Sequence, residues 1–426
     1  MRILFVAHGY PPRETAGTER HVEALAQHAR AKGHNVHVVA ATRSAGHRPY
    51  ETWTEAVDGV PVTRLVNNVP TRALGRCEAD GAVDRVMAGV LAQVRPDVVH
   101  LHHLQFLSSS TRWPVPVVVT LHDQWFWCAA GGLGLLPDGT VCEGPSPATC
   151  APCSQAWRPG PGRLTRWLAR TAGVLAPVVS PGRLDRLWRA VPARIRPTPE
   201  RGRGPEPPAP DAARRNARMA AVLEAAHTVV SPSRYLAGQC LQATGVESVV
   251  VPHGLAPPWF AHGTGEPRHG VLFLGTIAAH KGVQHLVHAW RTACPDGSPP
   301  LTLHGPVQDA SLLDGHPVGP VLTPAGVRAA LDRAQVLVVP SVWPENAPLV
   351  VLEARARGCP VITTHLGGLP ELVGPTDGIQ VPAGNVTALA DALQTVLTRP
   401  PGPPRPPPAL DGQADHLLRI LAEAAR

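Results

Sequence analysis

Two glutamates, a lysine and a histidine carry the most specific chemistry in this chain. Glu345 and Glu353 lie eight residues apart in SVWPENAPLVVLEARARGCPVITT, residues 341–364. The turn formers Pro344, Glu345 and Asn346 lead into helical spacing over 349–357. That predicts Glu345 at or just before a helix N-terminus and Glu353 about two turns in. Along one continuous helix the separation is a rise of ~12 Å, roughly the reach of a nucleotide-sugar from ribose to hexose. Glu353 could accept hydrogen bonds from vicinal ribose hydroxyls. Glu345 could meet sugar hydroxyls or the positive charge that develops at an anomeric carbon. Between them, N–H groups near Asn346 and Leu349 would face a diphosphate. The plainer alternative is an exposed amphipathic helix with two surface glutamates.

The second group is VLFLGTIAAHKG, residues 271–282. An apolar strand ends at Gly275, and a short loop through Thr276 delivers Lys281 ahead of a helix starting near Val283. Ligands of open parallel sheets bind at the carboxyl ends of strands, where a lysine can meet a phosphate as a point charge. Of the 39 basic residues only Lys32 and Lys281 are lysine, so an ammonium at position 281 invites a functional reason. In VVVTLHDQWFWC, residues 117–128, another strand runs out into His122 and Asp123. A histidine there can donate to a sugar hydroxyl or shuttle a proton. Cys128, Cys142, Cys150 and Cys153 share one short segment that ends in Cys-Ala-Pro-Cys. Two intervening residues let both thiolates reach one tetrahedral ion. A structural zinc is expected there, with unligated thiols as the alternative and an iron–sulfur cluster as a remoter one. Cys77, Cys240, Cys294 and Cys359 stand alone and read as small buried hydrophobes.

The elements that must hold these groups follow from the spacing of apolar residues. Residues 3–7 are an apolar run, 9–18 a Gly- and Pro-rich loop, and 36–40 a second run. Between the loop and that second run, 19–31 has helical spacing, with Val22, Leu25, Ala26 and Ala29 on one face. Short β-branched runs recur at 60–65, 98–101, 117–121 and 228–231, the last preceded by helical spacing over 212–226. Strands alternating with helices imply a parallel, doubly wound sheet. A second such unit starts at Gly270, with strands at 271–275, 301–304, 336–340 and 360–364 and helices at 283–293 and 349–357. The expected architecture is α/β with two Rossmann-like domains. The first spans 1–255 and carries a Cys-rich insertion at 128–153 and a Pro-rich loop at 192–210. The second spans 270–400, and a C-terminal helix follows at 410–426.

A chain of 426 residues exceeds one ordinary core. A formal charge of +7 and a sequence pI near 9.3 favour anionic partners such as nucleotides or phospholipid surfaces. Nucleic acid is not expected, because the arginines are scattered and no basic stripe interleaves with aromatics. No run approaches the ~20 apolar residues that cross a bilayer. MRILFVAHGY reads as a buried strand rather than a signal peptide, so a cytoplasmic location is expected. The basic stretch RLTRWLAR, 163–170, could lie peripherally on a membrane that presents a lipid-linked acceptor. No Gly-x-Gly-x-x-Gly follows the first strand, which argues against a dinucleotide dehydrogenase.

The glutamate pair, with the GCPVI strand and Gly367 and Gly368 after it, resembles the donor signature of the retaining GT-B glycosyltransferases of family four, also called group 1. LGT…HKG resembles their phosphate-binding loop and HGYPPRETAGTERHV their first loop, and these pieces cover most of the chain in the expected order. The resemblance implies two Rossmann-like domains facing across a cleft, retention of anomeric configuration and no catalytic metal. It implies a nucleotide-sugar donor held at Gly275, Thr276, Lys281, Asn346, Leu349 and Glu353. An acceptor would lie near Gly17, Glu19 and His21, with residues 10–13 and the whole of 19–21 as candidates for its lining whose chemistry alone does not show it. Catalytic roles fall to Glu345, Lys281 and His122, the last matching a cleft-floor histidine that contacts the donor sugar. Some members carry a similar cysteine insertion. Thr276 stands where many members have arginine, and Ala16 precedes Gly17 where many have two glycines. A sugar phosphorylase, a sugar-phosphate synthase and a non-catalytic nucleotide-sugar-binding scaffold are the alternatives.

Overall fold

The apolar runs form strands buried on both faces, as their lack of alternation requires. The computed structural model describes residues 1–68, 79–156, 183, 212–261, 267–399 and 401–426. Its first sheet contains β1 (Arg2–Ala7), β2 (Asn35–Thr42), β3 (Thr52–Val57), β4 (Val60–Val66), β5 (Val98–Leu101), β6 (Val117–Thr120), β7 (Thr228–Ser231) and β8 (Val249–Val250). The strand order is β3-β4-β2-β1-β5-β6-β7-β8, parallel throughout except where β3 meets β4. The second sheet contains β9 (Val271–Leu274), β10 (Leu301–His304), β11 (Val336–Val339), β12 (Val361–Thr364) and β13 (Gly378–Val381). It is fully parallel in the order β10-β9-β11-β12-β13.

Helices cover both faces of each sheet, the arrangement that parallel strands demand. The first region supplies α1 (Gly17–Ala31), α2 (Gly81–Val94), α3 (Pro147–Ala156), α4 (Ala212–Glu224) and α5 (Arg234–Thr244). The second supplies α6 (Val283–Ala293), α7 (Pro324–Arg333), α8 (Leu349–Ala356), α9 (Leu369–Leu372), α10 (Val386–Thr398) and α11 (Leu410–Ala424). Leu4 and Val6 of β1 pack with Met87 of α2 and Met219 of α4. Ile3 and Phe5, on the opposite face, pack with Val22 and Leu25 of α1. In the second sheet, Phe273 and Val338 meet Leu286 of α6 and Leu393 of α10, while Leu337 meets Leu331 of α7 and Val351 of α8. Side-chain caps fix two helix starts. Asp80 accepts from the Ala82 and Val83 amides, and Ser233 accepts from the Leu236 amide.

The terminal helix does not stand apart from the two sheets. Helix α11 returns to the first, where Leu410, Ala414, Leu417 and Leu421 share a core with β1 and α1. The return is stitched by the Leu255 amide on Pro408 O at 3.0 Å and the Leu410 amide on Leu255 O at 2.8 Å. A Cβ at Gly254 would come within 2.4 Å of Ala409 O, so this crossing admits no side chain there. The edge strand β3 carries no apolar run; its residues alternate between exposed and half-buried. RLTRWLAR at 163–170, the Pro-rich loop at 192–210 and Cys77 lie outside the described residues. Among the described residues, no helix is long and apolar enough to cross a membrane.

Leu417 is 2 % exposed in the core shared by α11 and β1. Leu417→Ala should lower unfolding free energy by ~2–5 kcal/mol, the usual cost of emptying a buried leucine site. Urea denaturation followed by circular dichroism checks it, and an unchanged midpoint would mean that α11 is not part of the first core.

Candidate active site

The loops leaving β9 and β11 meet at the carboxyl end of the second sheet. Lys281 is followed by Gly282, at φ +71°. A Cβ there would lie 1.9 Å from Pro340 O, so only glycine lets this loop press against the end of β11. The contact brings the Lys281 ammonium to Glu345, where Nζ donates to Oε1 at 2.6 Å. Ser341 Oγ donates to the same oxygen at 2.8 Å. Lys281 Nζ also lies 4.8 Å from the centroid of the Trp343 ring. Burial alone would raise the Glu345 carboxyl. The Lys281 charge and the hydrogen bonds from Lys281 and Ser341 outweigh it and hold the group below its usual range.

The glycine pair after β12 supports this loop from beneath. The Gly368 amide donates to Glu345 O at 2.7 Å. A Cβ on Gly367 would approach Glu345 O to 2.3 Å, and one on Gly368 would approach Asn346 O to 1.9 Å. One expectation is corrected here. Helix α8 begins only at Leu349, after Pro348, so Glu345 sits in the preceding loop and shares no helix with Glu353. Pro344 and Pro348 disfavour helix through this loop, and the single-helix rise between the carboxylates does not apply. Both carboxylates nevertheless line one cleft of about 700 Å³, together with Gly275, Thr276, Lys281 and Leu349. No side chain caps the start of α8, so its first N–H groups are left to the cleft. Burial raises the Glu353 carboxyl to about 7; Arg20 and Arg328 oppose the rise only in part.

The other lip belongs to the first sheet. His122 lines the cleft, and Gly17 and Glu19 line it from α1. Glu19 Oε1 meets His8 Nε2 at 3.2 Å, and that partner outweighs burial and keeps the carboxyl low. His21 is not part of the lining. It is buried behind His122, its ring centroid 4.3 Å from that of His253 and 5.5 Å from that of His122. Residues 10–13 also face elsewhere: Tyr10 is buried in the core, and the Arg13 guanidinium lies 5.0 Å from the Trp53 ring centroid. Asn346, expected near a helix start, lies in the loop before α8 instead. Its Nδ2 donates to His122 O at 3.0 Å and its Oδ1 accepts from Ser233 Oγ, which ties the two lips together. Burial, reinforced by neighbouring histidines, holds His122 well below its ordinary value, so the ring is neutral at pH 7. Burial also lifts Asp123, which lines the cleft beside it, to about 6. His8, Arg20, His103 and His253 join the lining; His8 and Arg20 fall within the HGYPPRETAGTERHV segment, whereas His103 and His253 are single histidines among many and gave no signal.

Cys128, Cys142, Cys150 and Cys153 surround one small cavity beside this lip. Cys150 and Cys153 sit three apart on α3, hence on one face. Cys142 Sγ donates to Gly144 O at 3.3 Å and Cys153 Sγ to Leu135 O at 3.6 Å. These two thiols are thus turned to carbonyls, and among the described residues no three metal-binding side chains converge on one point.

Two parallel-sheet domains that face each other across such a cleft define the GT-B class of glycosyltransferases. Comparisons with known proteins agree. The family Glycosyltransferase Family 4 matches residues 15–178, and Glycosyl transferases group 1 matches residues 268–399. A glycogen synthase of Mycobacterium tuberculosis is 24% identical over 441 aligned positions, covering 94% of this chain and 87% of that one. The sucrose-phosphate synthase of Thermosynechococcus elongatus superposes with a TM-score of 0.60 at 18% identity, over 100% of this chain and 96% of that one. HepE of Anabaena, solved in complex with UDP and glucose, gives a TM-score of 0.53 at 14% identity, over 99% and 95% of the two chains. The chain belongs to the group 1, family 4 glycosyltransferases.

Lys281→Met removes the ion partner of a buried carboxylate. It should destabilise the protein by about 3 kcal/mol at pH 7. The deficit should shrink as pH falls towards 5, because an unpaired buried Glu345 titrates above its usual range and becomes neutral. Lys281→Met combined with Glu345→Gln should recover most of the loss. Thermal unfolding between pH 5 and 8 measures all three, and equal stability of parent and Lys281→Met would mean that the pair contributes nothing.

Proposed function

We propose that this chain is a retaining glycosyltransferase using a nucleoside-diphosphate sugar. The observation that carries the reading is one cleft in which the Lys281 and Glu345 pair, the uncapped start of α8 and Glu353 lie in succession. The diphosphate would rest on Lys281, the amides at Gly275 and Thr276 and the first N–H groups of α8. Preorganised donors of this kind stabilise a leaving group as its charge grows, so the reading needs no catalytic metal. Glu353 would hold the ribose hydroxyls. Glu345, engaged by Lys281 and Ser341, would orient the sugar and fix the lysine rather than attack as a nucleophile. Neutral His122 can donate to a sugar hydroxyl, and Gly17 and Glu19 border the acceptor. The reading places the enzyme in the cytoplasm, in glycan, polysaccharide or glycolipid synthesis. The likeness to a sucrose-phosphate synthase favours a second reading, a sugar-phosphate synthase, within the same chemistry. Product analysis with sugar-phosphate acceptors, and with inorganic phosphate for a phosphorylase, separates these.

We also propose that the cysteine insertion takes up one zinc. Its support is the spacing of four thiols and the cavity they share. Rotation of Cys142 and Cys153 away from their carbonyls would be needed, and a strongly bound ion supplies the energy. Metal analysis of untagged protein should find about one zinc per chain. Four freely titratable thiols with no stoichiometric metal would reject it.

A ligand that binds only the folded state raises its melting temperature. One of uridine, adenosine or guanosine diphosphate should therefore stabilise the parent, and Glu353→Ala should remove most of that shift. Glu345→Ala should keep the shift and abolish transfer. Because Glu353 titrates near 7, its carboxylate is lost as pH falls, and nucleotide affinity should weaken between pH 8 and 6 in the parent but not in Glu353→Gln. Parental transfer rates in both alanine variants would overturn the site.

A further inference from the structure

The charges lining the cleft do not balance a diphosphate. Among the described residues, Arg20 and Lys281 are the only arginine or lysine in its lining. Lys281 is 2.6 Å from Glu345, and the pair has no net charge. Thr276 is neutral, and burial holds His103, His122 and His253 in their neutral forms. His8 Nε2 lies 3.2 Å from the Glu19 carboxylate, and His304 Nδ1 lies 3.0 Å from Pro320 O. Arg20, half-buried on α1, is the remaining basic side chain of the described lining. Among the described residues no hydrogen bond or ion pair engages its guanidinium, although its field is felt by Glu23, one turn along α1, and by Glu353 across the cleft.

Its position is locally unfavourable. Arg20 stands in the opening turn of α1, its amide bonded to Ala16 O at 3.2 Å, and Ala16 offers no side-chain cap. A cation beside a helix N-terminus opposes the helix dipole. The Glu19 carboxylate already accepts from the Ala16 and Glu19 amides at this helix start, so Arg20 is the group left to meet an incoming anion, in the cleft that it lines together with Gly17 and Thr18.

We propose that Arg20 binds the donor's diphosphate from the opposite domain, so that the phosphates are held between Arg20 and α1 on one lip and Lys281 and α8 on the other. The inference rests on the donor reading above. With ribose hydroxyls on Glu353, the first phosphate lies one ribose away from that carboxylate, inside the cleft that Arg20 also lines. The planar guanidinium can grip two phosphate oxygens at once. Donor binding then bridges the two domains, and nucleotide without phosphate cannot do so.

The test compares UDP, UMP and uridine, with the adenosine and guanosine series alongside, by calorimetric titration of the parent, Arg20→Gln and Arg20→Lys. Arg20→Gln should weaken diphosphate binding by roughly 10- to 100-fold, the range for a charged hydrogen-bonding group. Nucleoside binding should change less than about threefold, and Arg20→Lys should recover part of the loss. Circular dichroism and melting temperature confirm that the variants are folded. A parent that prefers diphosphate over nucleoside while Arg20→Gln does so equally overturns the proposal. So does unchanged diphosphate binding with lost transfer, which would assign Arg20 to an anionic acceptor. A parent that binds none of the nucleotides rejects the donor reading itself, and with it this role for Arg20.

Discussion

A carboxylate only 6 % exposed cannot stay charged without close partners, and Glu345 is that carboxylate. Much of the second domain's active edge follows from meeting its demand. Lys281 must reach it, which requires the loop after β9 to lie against the end of β11, which in turn requires glycine at 282. Ser341 supplies the second hydrogen bond from the end of β11 itself. Gly367 and Gly368 let the backbone of 344–346 settle within distances that no side chain would permit. The ion pair, two loops and three glycines form one unit, and none of its parts is explained alone.

The same unit governs how the domains meet. Asn346 adjoins Glu345, and its side chain bonds both His122 O and Ser233 Oγ of the first domain. Ser233 also caps α5, and Glu371 accepts from the Arg234 and Tyr235 amides at 2.9 and 2.6 Å, so the start of α5 is held by the second domain as well. On the far side, α11 carries the chain back into the first core, and Gln413 bonds the Gly254 amide and His253. Displacing the Glu345 loop would therefore disturb the placement of His122. The geometry of the candidate site and the orientation of the domains share one set of contacts.

The parallel strands were legible because strands buried on both faces are written as uninterrupted valine, leucine and isoleucine. β3 was not, since an exposed antiparallel edge shows no such run. β13 was missed too: Gly378 and Gln380 interrupt it, and three of its four residues are only half-buried. The candidate site residues were named from motif spacing, which names residues but not their partners. Nothing in the sequence says that Lys281 and Glu345 touch across 64 positions, or that Asn346 faces the other domain. Periodicity placed Glu345 near a helix start because proline and asparagine open helices as readily as they extend loops; Pro348 settled the matter locally. His21 looked like a cleft residue because neighbours on α1 are. The helix turns it inward, onto His253, a residue with no motif of its own.

The two glutamates show how one residue type acquires two roles from its surroundings. Glu345 has a lysine and a serine at hydrogen-bond distance, and its carboxyl is held low. Glu353 has no such partner among the described residues, only the more distant fields of Arg20 and Arg328, and burial lifts it to about 7. The first is a finished interaction that organises backbone. The second is an unfinished one: an acceptor partly withdrawn from water, with hydrogen-bonding capacity that the folded chain leaves unused. Leaving a charge so exposed to desolvation lowers the stability of the free protein, because a carboxyl with a raised value loses native stability as pH rises from its unfolded value through 7. Folding alone gives no reason to keep it. A ligand that brings hydroxyls to Glu353 and negative charge to Arg20 would satisfy both groups at once, which is the behaviour expected of a binding site whose strain is relieved by its substrate rather than by its own fold.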